Sequence, residues 1–258
     1  MLATGRWSMH PTTLSQDAQS TFLRGLVERV RSLRRGGSSS PLVVFDLDGT
    51  LLDNRPRSVA ILRELSSQWA ERYPAEARAI AACKPEELAY AMSDSLARLG
   101  VAQPGLIDEG LQFWRDRFFR DAYLVHDIEV AGAVRFARAV YDAGANLVYL
   151  TGRDLPLMGL GSWTSLRDLG FPIGVVGTEL VCKPQAELHD ETFKRDVAPT
   201  LGRLGEVVAS FDNEPANCNL FLEAHPRAAA VFLDTQHSAD APSLSAGVMS
   251  LRDLRFSP

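Results

Sequence analysis

The sequence predicts an α/β fold: a Rossmann-like parallel sheet with helices on both faces, plus an inserted α-helical unit. Short apolar runs alternate with helical patterns along most of the chain, whereas the stretch from 56 to 123 carries helical patterns alone. The chain has 258 residues, and 46% of them are hydrophobic. That length and composition allow one large domain with an inserted subdomain.

Residues 1–40 are interpreted as an N-terminal arm and helix. The first 14 residues predict a loose arm. From Ser15 onward apolar side chains recur on one helical face, with arginines on the other. The run from Gly36 to Ser40 predicts a flexible joint that ends this helix. We expect the helix to pack as a brace on the main domain.

The predicted strands are short apolar runs bounded by turn residues. Leu42–Phe45 is apolar throughout, which is typical of a central strand buried on both faces. The other predicted strands are Asn146–Leu150, Val207–Phe211, Ala228–Leu233 and Val248–Leu251.

Helical patterns separate these strands, and each one is followed by a glycine, the common C-terminal stop of a helix. The predicted helices are Val130–Ala143, Ser162–Leu169 and Glu191–Leu201, with Gly144, Gly170 and Gly202 after them. Within 56–123, apolar faces at helical spacing around Trp69 and Trp114 predict the helices of the insert. The insert interrupts a core made of 41–55 and 124–258.

Composition and charge disfavour several classes of protein. The net charge of −5 argues against a general binder of nucleic acid or of membrane surfaces, which needs a basic face. We expect no membrane span and no secretory signal. Three widely separated cysteines, Cys83, Cys182 and Cys218, fit neither a disulfide framework nor a zinc site, so we expect a reducing cytoplasm. The oligomeric state is left open.

The segment 43–52, Val-Val-Phe-Asp-Leu-Asp-Gly-Thr-Leu-Leu, carries the strongest chemical signal. Side chains alternate along an extended chain, so Asp46 and Asp48 can point the same way, into the crevice at the carboxyl end of the sheet. Carboxylates without a nearby histidine or cysteine suit Mg²⁺. An Asp-Gly hairpin turn with two solvated acids is the alternative. The apolar strand before the acids disfavours that alternative.

This segment resembles the first motif of the haloacid dehalogenase-like (HAD) hydrolase superfamily, an apolar strand followed by Asp-x-Asp-x-Thr. The resemblance is to the phosphatase branch with a helical cap of the C1 type. It implies that 41–55 and 124–258 form the HAD-like core and that 56–123 form the cap. The dehalogenase branch lacks the second acid, so Asp48 disfavours dehalogenation.

The resemblance also implies roles for residues at two later elements. Thr151, at the end of a predicted strand, would bind a phosphoryl oxygen together with Gly152, and Arg153 is a further substrate-binding candidate. A catalytic and substrate-binding lysine should follow. Lys194 is preferred, because Asp190 reads as the N-cap of its helix, and Lys183 in a Lys-Pro pair is the second choice.

The fourth motif should place an acid after the next strand, and Asp212 takes that position as a metal ligand. Many members carry a second acid where this chain has Asn213, so Asn213 and Glu214 are candidates for the outer shell of the metal. Asp234 also follows an apolar strand, and we interpret it as structural.

The implied function is a Mg²⁺-dependent phosphatase that acts on a small phosphomonoester. Asp46 attacks phosphorus, Asp48 is the acid and base, and Mg²⁺ is held by Asp46, Asp212 and the backbone carbonyl of Asp48. Two alternatives stay open. One is a phosphomutase or phosphotransferase on a sugar phosphate, and the other is a non-catalytic HAD-like module that binds a ligand or partner.

Overall fold

A computed structural model describes residues 12–37 and 40–257. Its six-stranded sheet has the order β5-β4-β1-β6-β7-β8, and all neighbouring strands are parallel. A separate pair, β2 and β3, is antiparallel. The strands are β1 Pro41–Phe45, β2 Leu52–Asp53, β3 Ile128–Glu129, β4 Asn146–Asp154, β5 Thr178–Lys183, β6 Glu206–Asp212, β7 Ala229–Leu233 and β8 Met249–Leu251.

Helices cover both faces of the sheet, as the alternation of elements predicts. The helices are α1 Gln16–Gly36, α2 Arg55–Trp69, α3 Pro74–Ala81, α4 Met92–Arg98, α5 Pro104–Phe118, α6 Ala133–Asp142, α7 Leu155–Leu169, α8 Asp190–Val197 and α9 Pro215–Ala224. The predicted fold class is therefore confirmed. Among the described residues, no helix combines the length and the apolar character that crossing a bilayer would require.

Strand β1 lies at the centre of two apolar layers. Val43 and Phe45 belong to a cluster that includes side chains of α1 and α6, whereas Leu42 and Val44 belong to one that includes side chains of α8 and α9. Because successive side chains of a strand point to opposite faces, an unbroken apolar run is what burial on both faces requires. This arrangement fixes the position of the acids that follow β1.

The helical segment lies between β2 and β3, which pair so that Leu52 faces Glu129. The chain thus leaves the sheet domain and returns to it at one place. Between these strands, Trp69 and its neighbours form an apolar cluster of their own, separate from the clusters of the sheet. We interpret this helical unit, together with its two linkers, as the cap.

The strand β5 is absent from the sequence prediction. It is an edge strand whose residues are mostly half-buried, so it lacks the continuous apolar run by which the other strands are recognised. Helix α7 begins at Leu155 instead of Ser162, because Pro156 is tolerated in a first turn and the glycines at 159 and 161 do not interrupt the helix.

The predicted end of one helix also differs from the structure. Helix α8 ends at Val197 and a 3₁₀ segment follows from Ala198 to Arg203, so Gly202 is not a helix stop. The predicted loose arm and flexible joint lie outside the described residues at 1–11 and at 38–39. Of the rest of the arm, Leu14 donates its N–H to the carbonyl of Ser250 at 2.9 Å, so this part contacts the core.

Candidate active site

Three buried charged groups meet at the carboxyl end of the sheet, and we call them the lysine cluster: Asp46, Asp212 and Lys194. Asp46 directly follows β1, Asp212 ends β6, and Lys194 lies on α8. The Lys194 Nζ is 2.7 Å from Asp46 Oδ1 and 2.7 Å from Asp212 Oδ2. The parallel strands bring the two acids together, and α8 inserts one ammonium group between them.

The lysine cluster holds two carboxyl groups and a single fixed cation. Burial raises the pKa of Asp46 to about 7, and the nearby Asp212 adds to the rise, although Lys194 opposes it. Burial by itself disfavours the charged form of Lys194, but the two carboxylates outweigh it and hold the pKa of this ammonium above its usual range. The cluster therefore carries an excess of negative charge when both acids are ionised.

A second group of buried charges surrounds Asp48, and we call it the arginine cluster: Asp48, Asp127, Arg57 and Arg153. Arg153 donates to both carboxylate oxygens of Asp48, at 2.7 and 2.8 Å, and Arg57 donates to Asp48 Oδ1 at 2.8 Å. Both guanidinium groups also donate to Asp127, whose side chain is fully buried. Two acids thus face two cations.

This pairing decides the protonation of Asp48. Burial alone would raise the pKa of this carboxyl, but the charge and hydrogen bonds of Arg153, with those of Arg57, lower it well below its usual range. Asn54 contributes a further hydrogen bond at 3.1 Å. In this arrangement Asp48 is a carboxylate, which favours the acceptance of a proton over its donation.

Arg57 and Asp127 are not identified by the sequence analysis. Arg57 lies in the first turn of α2, and Asp127 lies in the linker that returns from the cap, 70 positions later. Neither residue belongs to a recognisable motif, because the two side chains come into contact only when β2 and β3 pair and bring the two linkers together. An arginine in an otherwise apolar helical face was the one available signal.

The two candidate lysines occupy different environments. Lys183 Nζ donates to the carbonyls of Ala186 and Leu188, and it donates to Asp190 Oδ1 at 2.7 Å. These contacts stabilise the loop before α8. Lys194 contacts Asp46 instead. The predicted N-cap role of Asp190 is wrong, since His189 holds that position and Asp190 is the first residue of α8.

Thr151 does not take the predicted position at a strand end. Strand β4 continues to Asp154, so the Thr151 side chain is fully buried inside the strand. Its hydroxyl accepts the N–H of Arg153 at 3.2 Å. Gly152 and Arg153 line the cavity described below, whereas Thr151 does not. Gly152 packs so closely on Asp190 that a Cβ would lie 2.1 Å from the Asp190 carboxylate.

The two proposed outer-shell residues hold loops together. Asn213 donates its amide N–H to the carbonyl of Gln236 at 2.7 Å, and its oxygen accepts from Thr50 at 3.3 Å. Glu214 accepts from the backbone N–H of Ser238 and from the Tyr90 hydroxyl. Gly49, with φ of 77°, passes so near Asn213 that a side chain there would clash.

The lysine cluster has the donor chemistry that Mg²⁺ needs. One oxygen of Asp46 and one of Asp212 lie 2.7 Å from the same Nζ, so two hard oxygen ligands face one small space. Within residues 12–37 and 40–257, no three acidic, histidine or cysteine side chains form a metal-binding group. These two carboxylates would therefore hold the ion with a backbone oxygen, such as that of Asp48, and with water.

A cavity of about 740 Å³ separates the sheet domain from the helical unit. Its floor is formed by side chains at the carboxyl end of the sheet, which include Asp46, Asp48, Arg153, Lys194 and Asp212. Its roof is apolar and includes Leu88, Tyr90, Met92, Trp114, Phe118 and Phe119. The Gln236 side chain donates to the carbonyl of Leu88, and this contact joins roof and floor opposite the linkers.

The fold has counterparts among solved structures. The sequence matches no protein-family model and no curated protein. The fold is similar to that of a candidate phosphatase from Clostridium difficile, with 12% identity, a TM-score of 0.52, and coverage of 83% of this chain and 94% of that one. This similarity is one of fold. The α/β fold class that the sequence predicts agrees with this similarity.

Two further solved structures match with lower scores. One is a predicted phosphatase from Clostridium acetobutylicum, with 14% identity, a TM-score of 0.48, and coverage of 82% of this chain and 94% of that one. The other is a HAD-superfamily hydrolase of subfamily IA from Geobacter sulfurreducens, with 15% identity, a TM-score of 0.47, and coverage of 84% and 93%. Activity and substrate have to be inferred from the site itself.

Proposed function

We propose that the protein is a Mg²⁺-dependent phosphatase that hydrolyses a small phosphomonoester through an aspartyl-phosphate on Asp46. One observation carries the proposal: a buried carboxylate at the carboxyl end of the central strand is held 2.7 Å from Lys194, at the floor of a cavity roofed by the helical unit. In that cavity a carboxylate oxygen can reach phosphorus while a fixed cation lies beside the phosphoryl oxygens.

Lys194 positions Asp46 and offsets part of the charge that substrate brings. It shares its ammonium with Asp212, so the cluster attracts a second cation, and Mg²⁺ is the one that its oxygen ligands suit. When bound, Mg²⁺ would draw negative charge from the phosphoryl group. Asn217 donates to the other oxygen of Asp212 at 3.1 Å and fixes its orientation.

Asp48 is the general acid and base of the proposal. Attack of Asp46 on phosphorus breaks the bond to the ester oxygen, and the Asp48 carboxylate takes the proton of the monoanionic ester and passes it to that oxygen, which leaves as the alcohol. In the second step water attacks the aspartyl-phosphate, and the Asp48 carboxylate takes the proton of that water. The hydrogen bonds from Arg57 and Arg153 favour this second step, because they stabilise the carboxylate.

Arg153 and Gly152 are the substrate-binding candidates that the geometry supports, since both line the cavity. Thr151 is left with a supporting role through its contact with the Arg153 backbone. A cavity of this volume suits a small phosphorylated substrate. The cysteines at 83, 182 and 218 are all free, which agrees with the cytoplasmic location that we propose.

Hydrolysis of an aryl phosphate tests the function directly. We expect wild-type protein to release phosphate with Mg²⁺ and to lose nearly all activity without it, whereas Asp46→Asn should be inactive in both conditions. Asp240→Asn, at an exposed acid, is the control and should behave as wild type. Equal turnover by wild type and Asp46→Asn would refute the proposed nucleophile.

A phosphomutase remains the second candidate, because a capped site of this kind can pass the phosphoryl group to a sugar hydroxyl as well as to water. Product analysis with a sugar monophosphate separates the two. Release of inorganic phosphate supports the phosphatase, and formation of an isomeric sugar phosphate without phosphate release supports the mutase.

A further inference from the structure

The roof of the cavity differs sharply from its floor. Among the lining residues that belong to 56–123, all of them described, none is charged, and the roof includes four aromatic side chains. The polar atoms that the roof does present already have partners. The Ser58 hydroxyl accepts the indole N–H of Trp114 at 3.1 Å, and the Tyr90 hydroxyl donates to Glu214. A polyhydroxylated substrate would find little to bind there.

Three of the roof side chains form one aromatic wall: Trp114, Phe118 and Phe119. The Trp114 and Phe118 rings are stacked with centroids 4.2 Å apart, and Phe119 meets both rings edge to face at 5.9 and 5.1 Å. Phe119 is 44% exposed and lines the cavity together with the other two rings. The wall therefore offers a free aromatic surface to the cavity.

The wall is held rigidly and lies next to the position of the leaving group. The guanidinium of Arg57 covers the Phe118 ring at 4.1 Å, and the same arginine donates to the Phe118 carbonyl at 2.9 Å. Arg57 also donates to Asp48 Oδ1 at 2.8 Å and to Asp127. The guanidinium group of Arg57 thus lies between the wall and the Asp48 carboxylate, which faces the leaving oxygen in the proposed mechanism.

We propose that the substrate is a phosphate monoester with an aromatic ring one or two bonds from its ester oxygen, and that Phe119 binds that ring. The inference rests on the proposed phosphatase function and specifies its substrate class. A flat ring packs on the exposed face of the wall, in the offset or edge-to-face contact that aromatic pairs favour. A sugar phosphate would leave this aromatic surface bare.

A matched pair of substrates tests the inference. Benzyl phosphate and cyclohexylmethyl phosphate are both esters of primary alcohols and are similar in size, but only the first carries a flat ring. We expect kcat/KM to favour benzyl phosphate by about three- to tenfold, the range that a single aromatic contact supplies. A ratio near one would refute the proposal while leaving the phosphatase function intact.

Variants locate the preference on the wall. Phe119→Leu should reduce the benzyl preference to about twofold or less, whereas Phe119→Tyr keeps the ring and should keep the preference. Leu160→Ala removes an exposed apolar side chain outside the cavity and serves as the control. A preference unchanged by Phe119→Leu would contradict the assignment. A nucleoside 5′-monophosphate that outcompetes benzyl phosphate would contradict a ring this close to the ester oxygen.

A binding measurement keeps this test independent of turnover. Benzylphosphonate and cyclohexylmethylphosphonate carry a C–P bond that is not hydrolysed, and calorimetry gives their dissociation constants. Tighter binding of benzylphosphonate supports the aromatic subsite even in an inactive protein, and equal binding refutes it. Absence of turnover on every ester would instead refute the proposed function.

Discussion

Two clusters of buried charge lie side by side below the same cavity, and they differ in balance. The lysine cluster sets two carboxylates against one ammonium group, whereas the arginine cluster sets two carboxylates against two guanidinium groups. All the described side chains of both clusters except that of Asp48 are almost completely buried. Asp48, at 30% exposure, is the member most open to the cavity.

The difference separates a cluster that gains from an added cation from one whose charges are already balanced. A balanced buried cluster needs no further ion and holds its members in fixed geometry, so the arginine cluster ties the two cap linkers to the first loop of the sheet. An unbalanced cluster is destabilised by its own excess charge and gains most from a cation or from a ligand that brings one. Cation binding is therefore expected at the lysine cluster.

The largest effect on stability is expected from unbalancing the arginine cluster. Arg57→Met leaves Asp48 and Asp127 with a single guanidinium group in a buried position. We expect the free energy of unfolding to fall by about 3–5 kcal/mol, measured by chemical denaturation. Arg195→Met is the matched control. It removes an exposed arginine that pairs with Glu191 on the surface of α8 and should cost less than about 1 kcal/mol.

A double variant sharpens that test. Arg57→Met combined with Asp127→Asn removes one charge of each sign and restores the balance. Its loss of stability should be smaller than the sum of the two single losses, because the sites share the same partners. Additive losses would mean that the arginine cluster is not one electrostatic unit.

The next largest effect is expected on catalytic activity, from a substitution in the lysine cluster. Lys194→Met removes the cation that faces Asp46, and kcat/KM should fall by about 10²–10³-fold, or about 3–4 kcal/mol of transition-state stabilisation. Lys183→Met removes a cation that contacts only a loop and Asp190, so activity should stay within about tenfold of wild type. Equal losses in the two variants would contradict the assignment of Lys194.

The smallest effect tests the excess charge itself. The pKa of Asp46 is raised to about 7 in the folded protein, whereas an unfolded aspartate has a pKa of about 4. Its protonated form therefore favours folding, and wild-type stability is lost as pH rises from about 4 to about 7. Without Mg²⁺, Asp46→Asn should be more stable than wild type at pH 7 and nearly equal to it at pH 4.

Added Mg²⁺ should reverse the order of stability of wild type and Asp46→Asn. It supplies the missing cation, so it should raise the melting temperature of wild type and have little effect on Asp46→Asn. Asp240→Asn, at an exposed site, should follow wild type at every pH. A stability difference between wild type and Asp46→Asn that does not depend on pH would show that the lysine cluster carries no excess charge.

The sequence predicted the structure correctly where a local hydrophobic pattern indicates the element. The continuous apolar run at 42–45 placed the central strand, and its boundary with Asp46 placed the predicted nucleophile. The alternation of strands and helices gave the sheet and its layers. The edge strand β5 was missed, because half-buried residues leave no periodic or continuous apolar signal.

Contacts over long sequence distances could not be derived in this way. Thr151 was placed at a strand end, yet β4 runs further and buries it, since pairing with β5 extends the strand to Asp154. Asn213 was predicted in the outer shell of the metal, and the sequence did not show that it also links the loops at Gly49 and Gln236.

The sequence by itself determined the fold class, the central strand and the two acids that follow it, because these depend on hydrophobic pattern and order along the chain. Only the tertiary structure decided how the charges combine. Lys194 reaches Asp46 across 148 positions, and Arg153 reaches Asp48 across 105. Electrostatic balance is a property of groups brought together in space. The excess negative charge at Asp46 and the hydrogen bonds from Arg57 and Arg153 to Asp48 therefore form only when the sheet, the linkers and α8 have packed together.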